Sequence, residues 1–157
     1  MALRRSLCRL FPAVKYSVTA EGAAGPSMQY KAGKHSQFTD EPPKLGGQDK
    51  GMNPMETCLG SLCGCVHVLT YMVAKEMGLK FEKVGWSASC EFDPRGLMGK
   101  ADVQVHWSKL ILEGTIKTDA PDEQVQELLH KVEKRCPISS LMSNVKDLEY
   151  IASLKKG

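Results

Sequence analysis

The most regular hydrophobic pattern in the chain predicts a long helix that begins after Asn53 and ends at Met77. Asn53 suits the N-cap, Pro54 suits the first helical position, and Glu56 completes a capping box. Gly78 is a typical residue just beyond a helix end. On a helical wheel, one face carries these residues: Cys58, Leu62, Cys65, Leu69 and Met72. We expect this helix to be central and buried.

Alternation of apolar and polar residues predicts β-strands on both sides of this helix. The predicted strand regions are 15–40 (two or three short strands), 79–93, 101–107, 110–118 and 147–154. The segment 41–52, which is rich in proline, glycine and lysine, is typical of an exposed loop. An amphipathic helix over 121–135 and a short helix after Pro137 complete the pattern. The order β-β-α-β-β-β-α-β predicts an α+β fold with a mainly antiparallel sheet packed on the long helix.

Length and composition favour one globular domain over residues 15–157. The net charge of +3 is too small to favour nucleic-acid binding. No uninterrupted apolar run approaches the roughly 18–20 residues of a membrane span, so no membrane span is predicted. The six cysteines are too sparse for a secreted disulfide scaffold, which favours a reducing compartment with free thiols.

The first fourteen residues differ from the rest of the chain and form a basic leader. Arg4, Arg5 and Arg9 precede Lys15, and no acidic residue occurs before Glu21. This composition is typical of a mitochondrial transit peptide. The alternative is a basic N-terminus that carries no targeting signal, which would leave the protein cytoplasmic.

Two cysteines lie where sulfur chemistry is plausible on physical grounds. Cys65 lies about 18 Å into its helix, too far for the helix dipole to activate its thiol. Cys136 directly precedes Pro137. If Pro137 begins the next helix, Cys136 is the N-cap of that helix. Each could instead be a small core residue, as free cysteines often are. The pattern alone leaves both interpretations open.

The remaining cysteines suggest packing more than chemistry. Cys58 shares the face of Cys65, and Cys90 faces the core in a strand. Cys63 and His67 are four residues apart on a helix and could share a metal ion, but two ligands do not make a zinc site. We therefore predict no metal and no cofactor.

Two sequence motifs together resemble the OsmC/Ohr family. The first runs from Asp40-Glu41-Pro42-Pro43-Lys44-Leu45-Gly46-Gly47 through Gly51-Met52-Asn53-Pro54-Met55-Glu56 to Cys65, and the second is Cys136-Pro137 with its following serines. The resemblance covers roughly residues 15–154. It implies an intertwined α+β homodimer with two central helices back to back and active sites at the subunit interface. It also implies thiol-dependent reduction of hydroperoxides, preferentially organic ones in the Ohr branch.

The resemblance also implies roles for individual residues. Cys65 would be the peroxidatic cysteine and Cys136 the resolving one. Glu56 would help activation, or serve only as a helix cap. An apolar wall for the substrate would be formed by Leu62, Leu69 and Met72. An external dithiol, in the Ohr branch a lipoyl group on a partner protein, would reduce the resulting disulfide.

One departure from the Ohr pattern keeps other functions open. The Ohr branch activates its cysteine with an arginine from the N-terminal region, whereas this chain has no arginine between Arg9 and Arg95. Lys31, Lys34 or His35 could take that place. The alternatives are a non-peroxidase redox or small-ligand-binding protein that uses the same cavity, and a structural protein whose cysteines only pack.

Overall fold

The computed structural model describes residues 12–157, so the leader predicted at 1–14 lies almost wholly outside the described residues. The chain divides into two compact units, Met1–Pro54 and Met55–Gly157. The single domain predicted for 15–157 therefore stays a prediction. The elements are mixed helices and strands, which confirms the predicted α+β class.

The first unit is a small antiparallel sheet. Its strands, in chain and spatial order, are β1 (Thr19–Glu21), β2 (Met28–Ala32) and β3 (His35–Thr39). The register of the second hairpin pairs Met28 with Thr39. The prediction of short strands between 15 and 40 is confirmed.

The loop after β3 is organised around one buried carboxylate. Asp40 is 1% exposed and accepts hydrogen bonds from the backbone N–H groups of Glu41 (2.9 Å), Gln48 (3.0 Å) and Lys50 (3.2 Å). Burial by itself would raise the pKa of Asp40, but these backbone donors hold it below its ordinary value. A Cβ at Gly47 would overlap the carbonyl of Glu41, so this turn requires glycine there. These contacts give a physical reason for the Asp-to-Gly-Gly motif.

The long helix, α1 (Pro54–Met77), begins and ends where the sequence predicts. Gly78 follows it with φ +69°, a left-handed conformation that glycine adopts without strain. The predicted buried face is wrong in part, because Met72 is 44% exposed. The side of α1 that is buried carries Leu62, Val66, Thr70, Val73 and Ala74. This stripe is rotated by roughly 90° from the predicted one, at about 100° per residue.

By length and composition alone, α1 is also apolar enough to cross a membrane, with a mean hydropathy of 1.5 over eighteen residues. The absence of a membrane span therefore stays a prediction. The core helix of a globular fold passes the same test, and one stripe of α1 belongs to the hydrophobic core.

A three-stranded sheet supplies the other side of that core. Its strands, in spatial order, are β4 (Lys83–Glu91), β5 (Lys109–Lys117) and β6 (Glu149–Lys156). β4 and β5 are antiparallel, whereas β5 and β6 are parallel. The alternation predicted for β4 is confirmed, since these residues are all half-buried: Val84, Trp86, Ala88 and Cys90.

The strand predicted over 101–107 is wrong, because this segment has irregular backbone. The Gln104 side chain donates hydrogen bonds to the carbonyls of His106 and Trp107 and so occupies groups that a sheet would need. Asp93 caps a short helix, α2 (Pro94–Leu97), just before this segment.

Two helices connect β5 to β6. The first, α3 (Asp122–Arg135), confirms the amphipathic helix predicted over 121–135, and one side of it is buried: Val125, Leu128, Leu129 and Val132. The second, α4 (Pro137–Ser143), follows after a single residue, Cys136. The α3–α4 junction therefore fixes the position of that cysteine.

Candidate functional site

The structure brings Cys65 and Cys136 together. Their Sγ atoms are 3.0 Å apart, and the thiol of Cys136 donates a hydrogen bond to Cys65. Both are free thiols, and their separation exceeds the roughly 2.05 Å of a disulfide bond. A small approach of the two sulfurs would therefore allow them to bond.

The backbone around Cys136 explains its position. Its N–H completes α3 by bonding to the carbonyl of Val132 (2.9 Å), while its own backbone is extended (φ −77°, ψ 115°), as expected before proline. Its sulfur accepts a hydrogen bond from the N–H of Ser139 at 3.4 Å. The predicted N-cap position is confirmed. The cysteine ends one helix and caps the next.

The two sulfurs differ in exposure. Cys136 is 0% exposed, whereas Cys65 is half-buried at the edge of the packed stripe of α1. Burial and the hydrogen bond to Cys65 raise the pKa of Cys136 to about 11. Cys136 therefore keeps its proton at neutral pH, and a molecule from solvent meets Cys65 first.

A hydroxyl pair extends the sulfur pair. Ser139, which is 1% exposed, has its Oγ 2.8 Å from the hydroxyl of Tyr150 on β6. Burial raises the pKa of Tyr150, so the phenol stays protonated. Sequence reasoning missed Tyr150, because no motif connects a strand residue to a cysteine fourteen positions earlier.

Arg135, the residue before Cys136, binds a carboxylate on α1. Its guanidinium forms a two-pronged ion pair with Glu76 near the end of α1, with Nη2 3.0 Å from Oε1 and Nη1 bonded to Oε2. This bond lowers the pKa of Glu76. The positive charge next to Cys136 in sequence is therefore paired with a carboxylate.

Glu56 is exposed in the first turn of α1. Nine residues separate it from Cys65, which is about 13 Å along the helix axis. It therefore does not activate that sulfur by direct contact within α1, and its role stays a prediction.

The residues predicted to line a substrate wall differ in accessibility. Leu62 is fully buried in the core, Leu69 is half-buried, and Met72 is exposed. Only the last two present surface beside Cys65. A separate apolar hollow of about 230 Å³ lies at the other end of the helix and is lined by Cys58, His106, Trp107, Met142, Val145 and Leu148.

The other cysteines among residues 12–157 are half-buried, and burial raises the pKa of each one: Cys58, Cys63 and Cys90. Cys63 packs against the core, whereas His67 is exposed. Within residues 12–157, no three histidine, cysteine or acidic side chains converge as metal ligands.

Solved structures with the same fold come from several bacteria. An OsmC like protein from Mycoplasma pneumoniae has a TM-score of 0.80 at 19% identity, with 91% of this chain and 97% of that chain covered. An organic hydroperoxide resistance protein from Legionella pneumophila has a TM-score of 0.70 at 16% identity, covering 92% and 99%. One from Elizabethkingia anophelis, with thiocyanate bound, has a TM-score of 0.67 at 19% identity, covering 92% and 99%. At these identities the likeness establishes the fold alone.

Sequence comparison establishes the family. A search of curated protein sequences finds no significant match. The family model described as OsmC-like protein matches residues 47–150, well over half of the chain, and this range includes both Cys65 and Cys136. The chain therefore belongs to the OsmC family, as its two sequence motifs suggested.

Proposed function

We propose that the protein is a thiol-dependent peroxidase that reduces hydroperoxides through Cys65 and Cys136. The observation that carries this proposal is the 3.0 Å separation of the two free sulfurs. A packing role requires no such pairing of two thiols seventy-one positions apart.

The proposed reaction has two chemical steps. The Cys65 thiolate attacks the distal oxygen of the hydroperoxide, so an S–O bond forms, the O–O bond breaks, and the alkoxide takes a proton to leave as an alcohol. Cys136 then attacks the sulfenic sulfur, so an S–S bond forms. Its thiol proton and the departing hydroxide leave as water.

Exposure and charge support this division of roles. Cys65 is the accessible member of the pair, and Cys136 is fully buried with a pKa raised to about 11. A buried thiol that keeps its proton is a poor first nucleophile, because the thiolate is the reactive form. It is well placed to attack the sulfenic acid once that acid has formed on Cys65.

Substrate and reductant are proposed by analogy with the family. Two relatives with this fold are organic hydroperoxide resistance proteins, which supports an organic hydroperoxide as substrate. We propose that an external dithiol, including the lipoyl group of a partner protein, reduces the Cys65–Cys136 disulfide.

We further propose that residues 1–14 direct the protein to mitochondria, which a fluorescent fusion of residues 1–20 would test.

We also propose a homodimer in which α1 packs against its counterpart. The side of α1 opposite the core exposes Val68 (54%) and Tyr71 (59%) beside Met72 (44%). Three small exposed residues, Gly60, Ser61 and Gly64, would allow close helix approach. A second copy would then cover Leu69 and Met72 and complete an apolar wall, with Leu62 supporting it from the core. Glu56 would help activation or serve only as the helix cap.

The decisive experiment is a single-turnover titration of reduced protein with cumene hydroperoxide, followed by disulfide mapping by mass spectrometry. We expect stoichiometric oxidation and a Cys65–Cys136 bond. Cys65→Ser should abolish peroxide consumption, whereas Cys136→Ser should permit one turnover and leave a sulfenic acid. Cys90→Ser is the matched control and should behave like wild type. Full consumption by the Cys65 variant would refute the assignment.

A second function, binding of a small apolar ligand, is favoured by the hollow beside Cys58. It predicts negligible peroxide turnover and a raised unfolding temperature with cumyl alcohol as probe. Filling the hollow with Val145→Trp should remove that shift. Rapid steady-state turnover with a dithiol reductant would reject this second function.

A further inference from the structure

The hydroxyl pair of Ser139 and Tyr150 lies directly behind the buried sulfur. Ser139 contributes two groups: its backbone N–H donates to Cys136 Sγ at 3.4 Å, and its Oγ lies 2.8 Å from the Tyr150 hydroxyl. The continuous chain of contacts therefore runs from β6 through the first turn of α4 to Cys136 and on to Cys65.

We infer that Tyr150, acting through Ser139, is a positioning residue that holds Cys136 in place for attack on oxidised Cys65. This inference rests on the proposed function, because it concerns the second step of that reaction. The Tyr150 hydroxyl bonds to Ser139 and not to either reacting sulfur. It fixes the residue whose N–H holds one of them.

The geometry explains why such a support is needed. Cys136 is the only residue between α3 and α4, so a shift of the first turn of α4 moves its sulfur directly. No acidic side chain in that turn can interact with the N-terminus of α4, since its residues are Pro137, Ile138, Ser139 and Ser140. The Tyr150 hydroxyl connects it to β6, a strand paired along its length with β5.

The chemistry places the effect on one step. Attack of Cys65 on a hydroperoxide requires no movement of Cys136. Formation of the S–S bond requires the two sulfurs to close from 3.0 Å to about 2.05 Å while Cys136 loses its proton. A loosened turn would therefore slow disulfide formation and leave sulfenic acid formation unchanged.

The test measures the two steps separately in Tyr150→Phe, which keeps the ring and removes the hydroxyl. Stopped-flow mixing with cumene hydroperoxide gives the rate of Cys65 oxidation, and timed trapping with dimedone gives the lifetime of the sulfenic acid. We expect the first rate to stay within twofold of wild type and disulfide formation to slow about three- to tenfold, the range for loss of one hydrogen bond. The longer-lived sulfenic acid should also give more sulfinic acid under excess peroxide.

Two further variants provide an independent perturbation of the same contact and a control. Ser139→Ala keeps the backbone N–H and should reproduce the slowing if Tyr150→Phe folds poorly, and the double variant should be no slower than either one. Tyr30→Phe, which removes a surface tyrosine hydroxyl bonded to Gln37 at 2.7 Å, is the matched control and should leave both rates unchanged.

The outcomes separate this inference from the proposed function. If wild type forms no Cys65–Cys136 disulfide, the proposed function itself fails. If wild type forms it and Tyr150→Phe forms it equally fast, the positioning role is overturned. Equal slowing of both steps would also overturn it, because a general loss of structure would act on both.

Discussion

Arg135, the residue immediately before Cys136, bonds through both guanidinium NH₂ groups to the carboxylate of Glu76 on α1. The ion pair is therefore a second connection between the two segments that carry the paired sulfurs. It lies at the surface, with the two side chains 41% and 54% exposed. Exposed ion pairs of this kind contribute little to stability.

Weakening this ion pair should have a small effect that depends on salt and pH. Glu76→Gln removes the charge, so we expect a slightly lower unfolding temperature at low salt and no difference from wild type at 1 M salt, where charges are screened. Because the folded-state pKa of Glu76 is lowered, its contribution is present above its unfolded pKa and is lost as pH falls through the folded value. A difference that persists at 1 M salt would contradict this account.

Alkaline pH should destabilise the reduced protein through Cys136. Its folded pKa is about 11 against an ordinary 9.0, so its contribution is fully present below pH 9 and is lost as pH rises from 9 to 11. Urea unfolding at several pH values should show this loss. Cys136→Ala should show a shallower decline between pH 9 and 11. Equal declines would argue that the buried thiol does not titrate in this way.

Native cysteines should react with alkylating reagents in a defined order. Cys65 is half-buried beside the open side of α1, whereas Cys136 is fully buried with a raised pKa. We expect iodoacetamide at pH 7.5 to modify Cys65 first and Cys136 only after unfolding or opening. Peptide mapping over time would measure this. If Cys65 also resists until unfolding, a purely structural role for the cysteines would be favoured.

Sequence reasoning predicted the parts of this fold that depend on local physics. The bounds of α1 follow from Pro54 and Gly78, and the cap at Cys136 follows from Pro137. It failed where groups distant in sequence decide: the buried face of α1 depends on how the sheet lies against it, and Gln104, in place of the predicted strand, donates to the carbonyl of Asp147. The meeting of Cys65 with Cys136 came from the family resemblance and not from their spacing.

Gly47 should be intolerant of any side chain. An added Cβ would overlap the carbonyl of Glu41 and crowd the Asp40 carboxylate, so the turn around that carboxylate would have to open. We expect Gly47→Ala to lower the free energy of unfolding by about 2 kcal/mol or more, within the upper range of single substitutions. Hydrogen exchange at the Gln48 and Lys50 amides should speed up in the same variant. Unchanged protection there would show that the turn adapts.

Gly60→Ala tests the proposed pairing of two α1 helices. In the single chain an added Cβ at Gly60 meets no atom within 4 Å, so alanine should stabilise the helix by about 0.5–1 kcal/mol. If a second copy packs closely on this edge, the methyl group instead separates the helices and weakens the dimer. Sedimentation over a range of protein concentrations would distinguish the two results, with Gly64→Ala as a second variant on the same edge. Dimer formation as tight as wild type in both variants would mean that copies associate elsewhere or at a wider helix spacing, and that the small residues serve another purpose.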